Sequence, residues 1–422
     1  MLMFLITLSL SLPVEHDEED ENDLFSIKIS NTPIYTNFIM IDTKVDDYNI
    51  KMPIDISADS IWLKKTSDDT SVEELNKYIT KMCKPTLPNK PKKGTLILSD
   101  CNLQLDDAPY IELNSSDLIC GYRSTFGLAK KFQNADYSIL RIIRRSCVRN
   151  TFSIRLKKTV PYYKELEGEL RIGNHENELN DNTGNRIECD LIDLGTRWAT
   201  MIQAMIYGDI STEEQSSKGK VYYIESKSKQ FKKVDAPMSI ETLQKYFIAP
   251  KLYFKYFTDK IFNTYIKEGT CSVRENKEMS AFYCSDKVLE TFPKIHFVIN
   301  NYLLTFEGKD LFELVDNEYM FIIVQSTSIS QWTFGNILFT KFAVVFSEDV
   351  KTLNFISENN VEKIRIIGNY DPKDETEGVT RYEISFGVIF IINIIGIVML
   401  LISLFRQKVF IETEALNKQF KK

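Results

Sequence analysis

Asp55 is the side chain in this sequence best placed for acid–base chemistry. It ends the apolar run Met52-Pro-Ile54, enters a turn of small residues, and is followed by a second apolar run, Ile61-Trp-Leu63. A strand that delivers one carboxylate into a turn can hold that acid ready to give or take a proton. Asp55 is therefore the first candidate catalytic residue.

Metal, thiol and triad chemistry have little support in this sequence. Of the three histidines, His16 lies in a charged leader, His175 in a predicted loop and His296 in a predicted strand. No Cys-x-x-Cys motif suggests a redox site or a zinc ribbon. We therefore expect no metal and no cofactor.

The segment around Asp55 resembles the first active-site segment of the pepsin-like aspartic proteases, in which Asp-Thr-Gly follows an apolar strand and precedes a Trp. Asp55 and Trp62 keep that pattern, while Ile56-Ser57 replaces Thr-Gly. Further segments resemble family elements in the family's order: Asp117–Tyr122, Arg149–Leu156, Glu167–Gly173 with Trp198, Cys284 with Phe292–Phe297, and Trp332–Phe346. The resemblance covers roughly residues 35 to 356.

This resemblance implies a second acid, because the family hydrolyses peptides with two carboxylates that share one proton. Asp235, in Val234-Asp-Ala-Pro-Met238, lies where the family has its second Asp-Thr/Ser-Gly. The catalytic residues implied are thus Asp55 and Asp235. Lys232 and Lys233 stand where an apolar strand should lead into the second acid.

Several parts of the family's apparatus are missing under this alignment. Ile56 and Ala236 occupy the positions whose hydroxyl groups brace the two active-site loops across the lobe boundary, so we expect the brace to be lost on both sides. Ser57 and Pro237 replace the glycines that follow. Between Asp55 and Asp117, no Tyr is followed by the Gly-x-Gly of a flap. These losses favour a degenerate catalytic site.

The strand pattern favours an all-β body with few helices. Predicted strands are Phe25–Ser30, Thr36–Ile41, Ile50–Ile54, Thr95–Leu98, Phe152–Leu156, Glu169–Ile172, Val221–Ile224, Lys294–Ile299, Tyr319–Val324 and Phe342–Phe346. Predicted helices are Val72–Met82, Tyr137–Arg145 and Ser239–Tyr265, the last broken by Pro250. Together with the resemblance, this predicts a two-lobed pepsin-like fold, with an N-terminal β lobe over 25–160 and a C-terminal β lobe over 161–365.

The two ends of the chain predict membrane attachment. Residues 1–13 suit a signal peptide, with a misplaced start site as the alternative, and 14–24 form an acidic leader. Residues 384–405 are almost wholly apolar and would form a helix of about 33 Å, enough to span a bilayer. An acidic stalk, 366–383, precedes this transmembrane helix and a basic tail, 406–422, follows it. The positive-inside rule predicts a single-pass type I protein with a cytosolic tail and its body in the secretory-pathway lumen or at the cell surface.

The seven cysteines fit an oxidising compartment, although the odd number leaves at least one thiol unpaired and a mostly reduced set is an alternative. Cys271 and Cys284 are close enough in sequence to staple a hairpin. Asn114-Ser-Ser116 is an acceptor for N-glycosylation. The net charge of −7, without a basic stripe, argues against a nucleic-acid partner.

Three functions remain open. The favoured hypothesis is a monomeric, membrane-anchored aspartic-protease homologue whose degenerate site leaves the interlobe cleft to bind a peptide or protein. The alternative is an active divergent aspartic endopeptidase that cleaves secretory or surface proteins with Asp55 and Asp235. A receptor or adhesion ectodomain with similar β-rich patterning is the third.

Overall fold

Alternating apolar and polar residues build most of the described chain into strands. The computed structural model describes residues 24–31, 38–58, 61–63, 92–98, 103–112, 125–130, 140, 151–158, 165–175, 179, 185–210, 212–216, 219–276, 279–326, 329, 331–358 and 361–367. In β2, Met40–Val45, the side chains of Ile41, Thr43 and Val45 are buried while Asp42 is exposed. This two-residue repeat is what a strand with one buried face requires.

Twelve strands of the described chain form a first sheet. They are β1 Leu24–Ser30, β2 Met40–Val45, β3 Tyr48–Asp55, β4 Ile61–Leu63, β5 Lys92–Leu98, β6 Leu103–Glu112, β7 Phe126–Gly127, β8 Thr151–Lys158, β9 Leu166–Gly173, β10 Arg186–Asp190, β24 Ala343–Ser347 and β25 Thr352–Ile356. The order is β10-β25-β24-β8-β9-β1-β2-β5-β6-β4, with β3 on β2 and β7 on β3. The late strands β24 and β25 thus complete a sheet that the early part of the chain begins.

The other fourteen described strands form a second sheet. They are β11 Ala199–Tyr207, β12 Thr212–Ser216, β13 Gly219–Glu225, β14 Phe231–Ile240, β15 Phe247–Ile248, β16 Cys271–Glu275, β17 Met279–Cys284, β18 Ile295–Ile299, β19 Tyr302–Phe306, β20 Phe312–Val315, β21 Glu318–Phe321, β22 Ile323–Ser326, β23 Trp332–Phe334 and β26 Glu362–Ile367. Their order is β12-β13-β26-β19-β18-β11-β14-β23-β15-β22-β17-β21-β20, with β16 on β17.

Helices are few in the described chain. The helix α1, Lys251–Phe257, continues through a π-helical turn, Thr258–Phe262, into α2, Asn263–Lys267. A short helix α3 spans Lys287–Thr291, and 3-10 turns span Gly308–Asp310 and Asn336–Thr340. The all-β prediction with few helices is confirmed.

The helix predicted over Ser239–Tyr265 is wrong in its first half. Ser239 and Ile240 end strand β14 and pair with β23, and the helix begins only after Pro250. Proline suits the start of a helix but interrupts its interior. The predicted strand Tyr319–Val324 is likewise two strands, β21 and β22, which are separated at Ile322.

Aromatic side chains fill much of the core. Phe152 of β8 and Phe346 of β24 stack with ring centroids 4.6 Å apart, and Trp198 packs edge-on against both. In the second sheet, Phe247 stacks on Phe334 at 4.3 Å. Each such ring removes a large apolar surface from water, and edge-on and offset contacts add to that stabilisation.

The disulfide predicted between Cys271 and Cys284 is confirmed. The two cysteines are direct partners in the antiparallel pair β16–β17 and are bonded to each other. Cys189 is a free, buried thiol, and burial raises its pKa to about 12. The other four cysteines, 83, 101, 120 and 147, lie outside the described residues.

Other predictions also fall on residues that the structure does not describe. They are the signal peptide, most of the acidic leader and of the stalk, the transmembrane helix and tail, the helix Val72–Met82, all of Tyr137–Arg145 except Leu140, the segment Asp117–Tyr122, and Asn114. By contact pattern the chain divides into Met1–Ile367 and Gly368–Lys422, and the second unit is wholly outside the described ranges. No helix in the described ranges is long and apolar enough to span a bilayer. The lobe boundary at residues 160 and 161 stays a prediction, and the first sheet takes strands from both sides of it.

Candidate active site

Asp55 is the last residue of β3 and lies at the start of a tight turn. Its side chain is buried, with 8% of the residue exposed. Its Oδ1 accepts hydrogen bonds from the Ser57 N–H at 2.8 Å, the Ser57 hydroxyl at 2.6 Å and the Ala58 N–H at 3.2 Å. An aspartate that accepts from the backbone two and three residues ahead closes its own turn, so the carboxylate is held in one orientation.

A short parallel strand supports Asp55 from the other side. Strand β7 pairs with β3 so that Gly127 lies opposite Asp55, and the Leu128 N–H donates to the Asp55 carbonyl at 2.9 Å. The strand next to Asp55 is therefore Phe126–Gly127, and the segment Asp117–Tyr122 lies outside the described residues.

The second sheet repeats this arrangement around Glu241. Strands β14 and β23 are parallel, with Ile240 opposite Phe334, and Glu241 follows directly and donates its N–H to the Phe334 carbonyl at 3.0 Å. Gly335, the residue after Phe334 on β23, has the same place relative to Glu241 that Gly127 on β7 has relative to Asp55. A Cβ at Gly335 would lie 2.5 Å from the Gln244 carbonyl oxygen, so a side chain there would displace the loop that carries Glu241.

Hydrogen bonds through Thr242 join the two acid-bearing segments. The Thr242 hydroxyl donates to the Ile54 carbonyl at 2.6 Å and accepts from the Ile56 N–H at 3.2 Å. Thr242, which directly follows Glu241, thus hydrogen-bonds to the backbone on both sides of Asp55. The predicted loss of the brace is correct for Ile56, which has no hydroxyl, and wrong for the other side, where Thr242 supplies it.

Glu241 is electrostatically coupled to Asp55. Burial first, and then the negative charge of Asp55, raise the pKa of Glu241 to about 7, while the Arg197 guanidinium and a hydrogen bond with Ser57 act in the opposite direction. Arg197 Nε lies 3.4 Å from Glu241 Oε1. A buried acid beside a second carboxylate holds its proton, since two adjacent negative charges are unfavourable.

Asp235, the second acid predicted from sequence, is not brought to Asp55. It lies within β14, six residues before Glu241, which corresponds to roughly 15–20 Å of strand. Its side chain is 49% exposed and forms an ion pair with Lys233 at 2.6 Å. Its φ of 38° coincides with an irregularity where the β11–β14 register shifts. The acid beside Asp55 is Glu241.

A weak signal for Glu241 was present in the sequence. Met238-Ser-Ile-Glu-Thr242 has an apolar residue, an acid and then a threonine, which is the order that the family motif requires. Three features concealed this signal. Glutamate stands in place of aspartate, no glycine follows Thr242, and the pattern of the segment predicts a helix.

Trp198 links the two halves of the site. Its indole Nε1–H donates to the Leu128 carbonyl at 2.8 Å, and its own carbonyl accepts from the Ile240 N–H at 3.0 Å. Leu128, the residue after Gly127, and Ile240, the residue before Glu241, are therefore both hydrogen-bonded to one fully buried residue, the first to its indole and the second to its backbone.

The two described histidines have structural partners. His175 is buried, with Nδ1 2.9 Å from the Gly173 carbonyl and Nε2 2.9 Å from the Ser153 hydroxyl. His296 contacts Thr305 and the Gly208 carbonyl, and burial lowers its pKa. Both rings are engaged away from Asp55 and Glu241.

The fold is shared with known structures of the pepsin-like class. An aspartic proteinase from Irpex lacteus aligns with a TM-score of 0.55 at 10% identity, over 80% of this chain and 98% of that one. Basic 7S globulin from soybean aligns with the same TM-score and identity, over 79% and 94%. No family model and no curated protein sequence matches this chain. The pepsin-like fold predicted from the motifs is confirmed, at an identity that establishes the fold alone.

Proposed function

We propose that this protein is a divergent aspartic-type endopeptidase whose acid pair is Asp55 and Glu241. The observation that carries the proposal is the coupling of these two buried carboxyl groups on loops that Thr242 binds together. General acid–base hydrolysis of an amide requires one group that gives a proton and one that takes a proton.

The unequal environments assign a role to each acid. Glu241 keeps its proton up to about pH 7 and would give it to the carbonyl oxygen of the scissile peptide bond. Asp55 would take a proton from a water molecule, whose oxygen then bonds to the carbonyl carbon. Asp55 would then give that proton to the amide nitrogen, the C–N bond breaks, and Glu241 takes back a proton from a hydroxyl of the tetrahedral intermediate, which leaves a carboxylic acid and an amine. The Ser57 hydroxyl, which donates to Asp55, keeps the base oriented during these transfers.

The test is cleavage of a mixed peptide library by the purified full chain in detergent between pH 3 and 8. We expect Asp55→Asn and Glu241→Gln each to lower kcat at least ~100-fold, because each removes one member of the acid–base pair. Asp235→Asn is the matched control, since it makes the same carboxyl-to-amide change on an exposed acid of β14. It should retain activity within about twofold.

The opposite pattern would overturn the assignment. If Asp235→Asn inactivates the protein and Glu241→Gln does not, the acid pair is the one predicted from sequence. If the wild-type chain cleaves nothing at any pH, the peptidase proposal falls.

A non-catalytic peptide-binding protein is the second candidate, and two observations favour it. The Arg197 guanidinium opposes the rise in the pKa of Glu241, and Ile56 leaves the brace between the acid loops one-sided. Binding of library peptides by the monomeric wild-type chain without cleavage would support this function.

We also propose that the chain is a single-pass type I membrane protein with its acid pair on the lumenal or outer side. The support is the sequence alone: the apolar segment 384–405, the acidic residues before it and the basic residues after it.

A further inference from the structure

Arg197 stands beside the acid pair at a position fixed by the fold. It ends the connection between β10 and β11, where Leu194 and Arg197 form an isolated antiparallel bridge. The next residue is the buried Trp198, which anchors both acid loops. The backbone of Arg197 is therefore fixed by the bridge to Leu194 and by the buried residue that follows it.

The guanidinium group has donors to spare. Its Nε is 3.4 Å from Glu241 Oε1, and 45% of the Arg197 side chain is exposed against 14% of Glu241. Within the described part of the chain, no second acidic side chain contacts Arg197. Arginine presents five N–H donors in a planar fork that fits a carboxylate with two parallel hydrogen bonds.

We infer that Arg197 binds a carboxylate of the substrate next to the scissile bond, and that the protein selects peptides carrying one there. The inference rests on the proposed function, because it needs a peptide bond placed at Asp55 and Glu241. An extended peptide advances about 3.3 Å per residue, so a group bound to Arg197 belongs to a residue one or two positions from the cleaved bond. An Asp or Glu side chain and a free C-terminal carboxylate share the required chemistry.

Acidic conditions should strengthen this selection. The groups that act on Glu241 are Asp55 and Ser57 from the turn after β3 and Arg197 from the β10–β11 connection. Below about pH 7 Glu241 takes up a proton, so Arg197 loses the negative charge of its partner. Acidic side chains of a peptide stay ionised above about pH 4. The preference should therefore be largest between these two values.

The experiment compares peptides that differ only in one group. Each of the positions flanking the cleaved bond carries Glu, Gln or Lys, and each peptide is made with a free or an amidated C terminus. We expect the wild-type chain to show a kcat/KM at least about tenfold higher for one carboxylate form at pH 5, and Arg197→Gln to remove that ratio. Arg197→Glu should reverse it in favour of Lys at the same position.

Arg274→Gln is the matched control. Arg274 is similarly exposed, at 52% of its side chain, and ion-paired with Glu318, but lies on β16 beside the disulfide. It should keep the wild-type ratio. Because the readout is a ratio between two peptides, a general loss of activity in Arg197→Gln does not imitate the expected result.

The outcomes separate this inference from the proposed function. A preference confined to free C termini identifies the terminal carboxylate as the ligand, and one confined to Glu identifies the side chain. Cleavage without any charge preference overturns the inference and leaves the endopeptidase. If nothing is cleaved, binding of the same peptides is measured by fluorescence anisotropy. Binding of carboxylate peptides that depends on Arg197 supports the carboxylate site and rules out the peptidase. Equal binding of all peptides rules out both the carboxylate site and the peptidase.

Discussion

Glu241 has one methylene group more than Asp55, the other member of the proposed acid pair. Asp55 is held by three donors from its own turn, whereas Glu241 extends from its loop and is held by Arg197 and by the hydrogen bond with Ser57. The two acids are therefore oriented by different means. Because Glu241 is longer and makes fewer hydrogen bonds to its own turn than Asp55 does, a bound substrate can move it more easily.

The raised pKa of Glu241 has a consequence for stability. An acid whose pKa is higher in the folded state binds its proton more tightly there, so stability falls as pH rises from about 4.5 to about 7. The shift from the ordinary value of 4.5 to about 7 corresponds to roughly 3 kcal/mol at most. We expect Glu241→Gln to gain about that much stability relative to wild type between pH 4.5 and 7.5, measured by urea unfolding.

Glu290→Gln provides the control for this measurement. Glu290 is an exposed glutamate on α3, and its substitution should change the free energy of unfolding by less than about 0.5 kcal/mol at either pH. A Glu241→Gln difference that does not vary with pH would show that Glu241 ionises normally in the folded protein.

At this scale the sequence pointed to Asp55 but not to Glu241, the other member of the proposed acid pair. Asp55 was predictable because its apolar strand, its turn and Trp62 all fit one local pattern. Glu241 was not, because what identifies it is the parallel pairing of β14 with β23 and the bond from Thr242 to a segment about 190 residues earlier. No local pattern contains such contacts.

At the scale of elements, the end of β14 and the loop that follows it hold the two sheets together at the site. The Thr242 hydroxyl makes two bonds to the backbone of the β3 turn, and this region of the structure is buried. A helix over this segment, as the sequence predicts, would not have made these hydrogen bonds. Strand pairing overrode a helical pattern because Met238, Ser239 and Ile240 are all buried against neighbours.

Thr242→Val should distinguish the role of Thr242 in holding the acid loops from its contribution to the stability of the fold. The substitution keeps the shape but leaves the Ile56 N–H without its acceptor, which should lower the free energy of unfolding by about 1–3 kcal/mol. We expect kcat to fall by more than the stability change explains, because the acid loops lose their common anchor. Kinetic assays at a temperature where the variant is fully folded check this.

Two variants control for the loss of the hydroxyl. Thr242→Ser keeps the hydrogen-bonding group and should restore activity. Thr200→Val removes a hydroxyl that donates to the Asp190 carbonyl at 3.0 Å, away from the acids, and should affect stability alone. Equal activity of Thr242→Val and wild type would remove Thr242 from the site.

At the scale of the whole molecule, the pepsin-like body was predictable because several motifs occur in the family's order, and those within the described ranges include strands β8, β9, β18, β23 and β24. Trp332, for example, lies on β23 and is fully buried. The distribution of strands between the two sheets was not predictable, because β24 and β25 pair with strands that precede them by roughly 160 to 200 residues.

Membrane attachment makes a prediction for the full chain expressed in cells. A C-terminal tag should be accessible to protease only after the membrane is permeabilised, and Asn114 should carry a glycan that the Asn114→Gln variant lacks. We expect deletion of 384–422 to release the protein from the membrane fraction. A full-length chain that carbonate extracts from membranes would contradict the proposed anchor.

The position of β24 in the first sheet also determines when that sheet can be finished during synthesis. Strand β8 is made early, but its neighbour β24 is Ala343–Ser347, so the ribosome adds almost 200 further residues before the pair can form. Until then β8 has an open edge, which is the kind of surface through which nascent chains aggregate. The first sheet therefore cannot be completed until β24 has been synthesised. A chain truncated before residue 343 should require a chaperone rather than fold as a smaller domain.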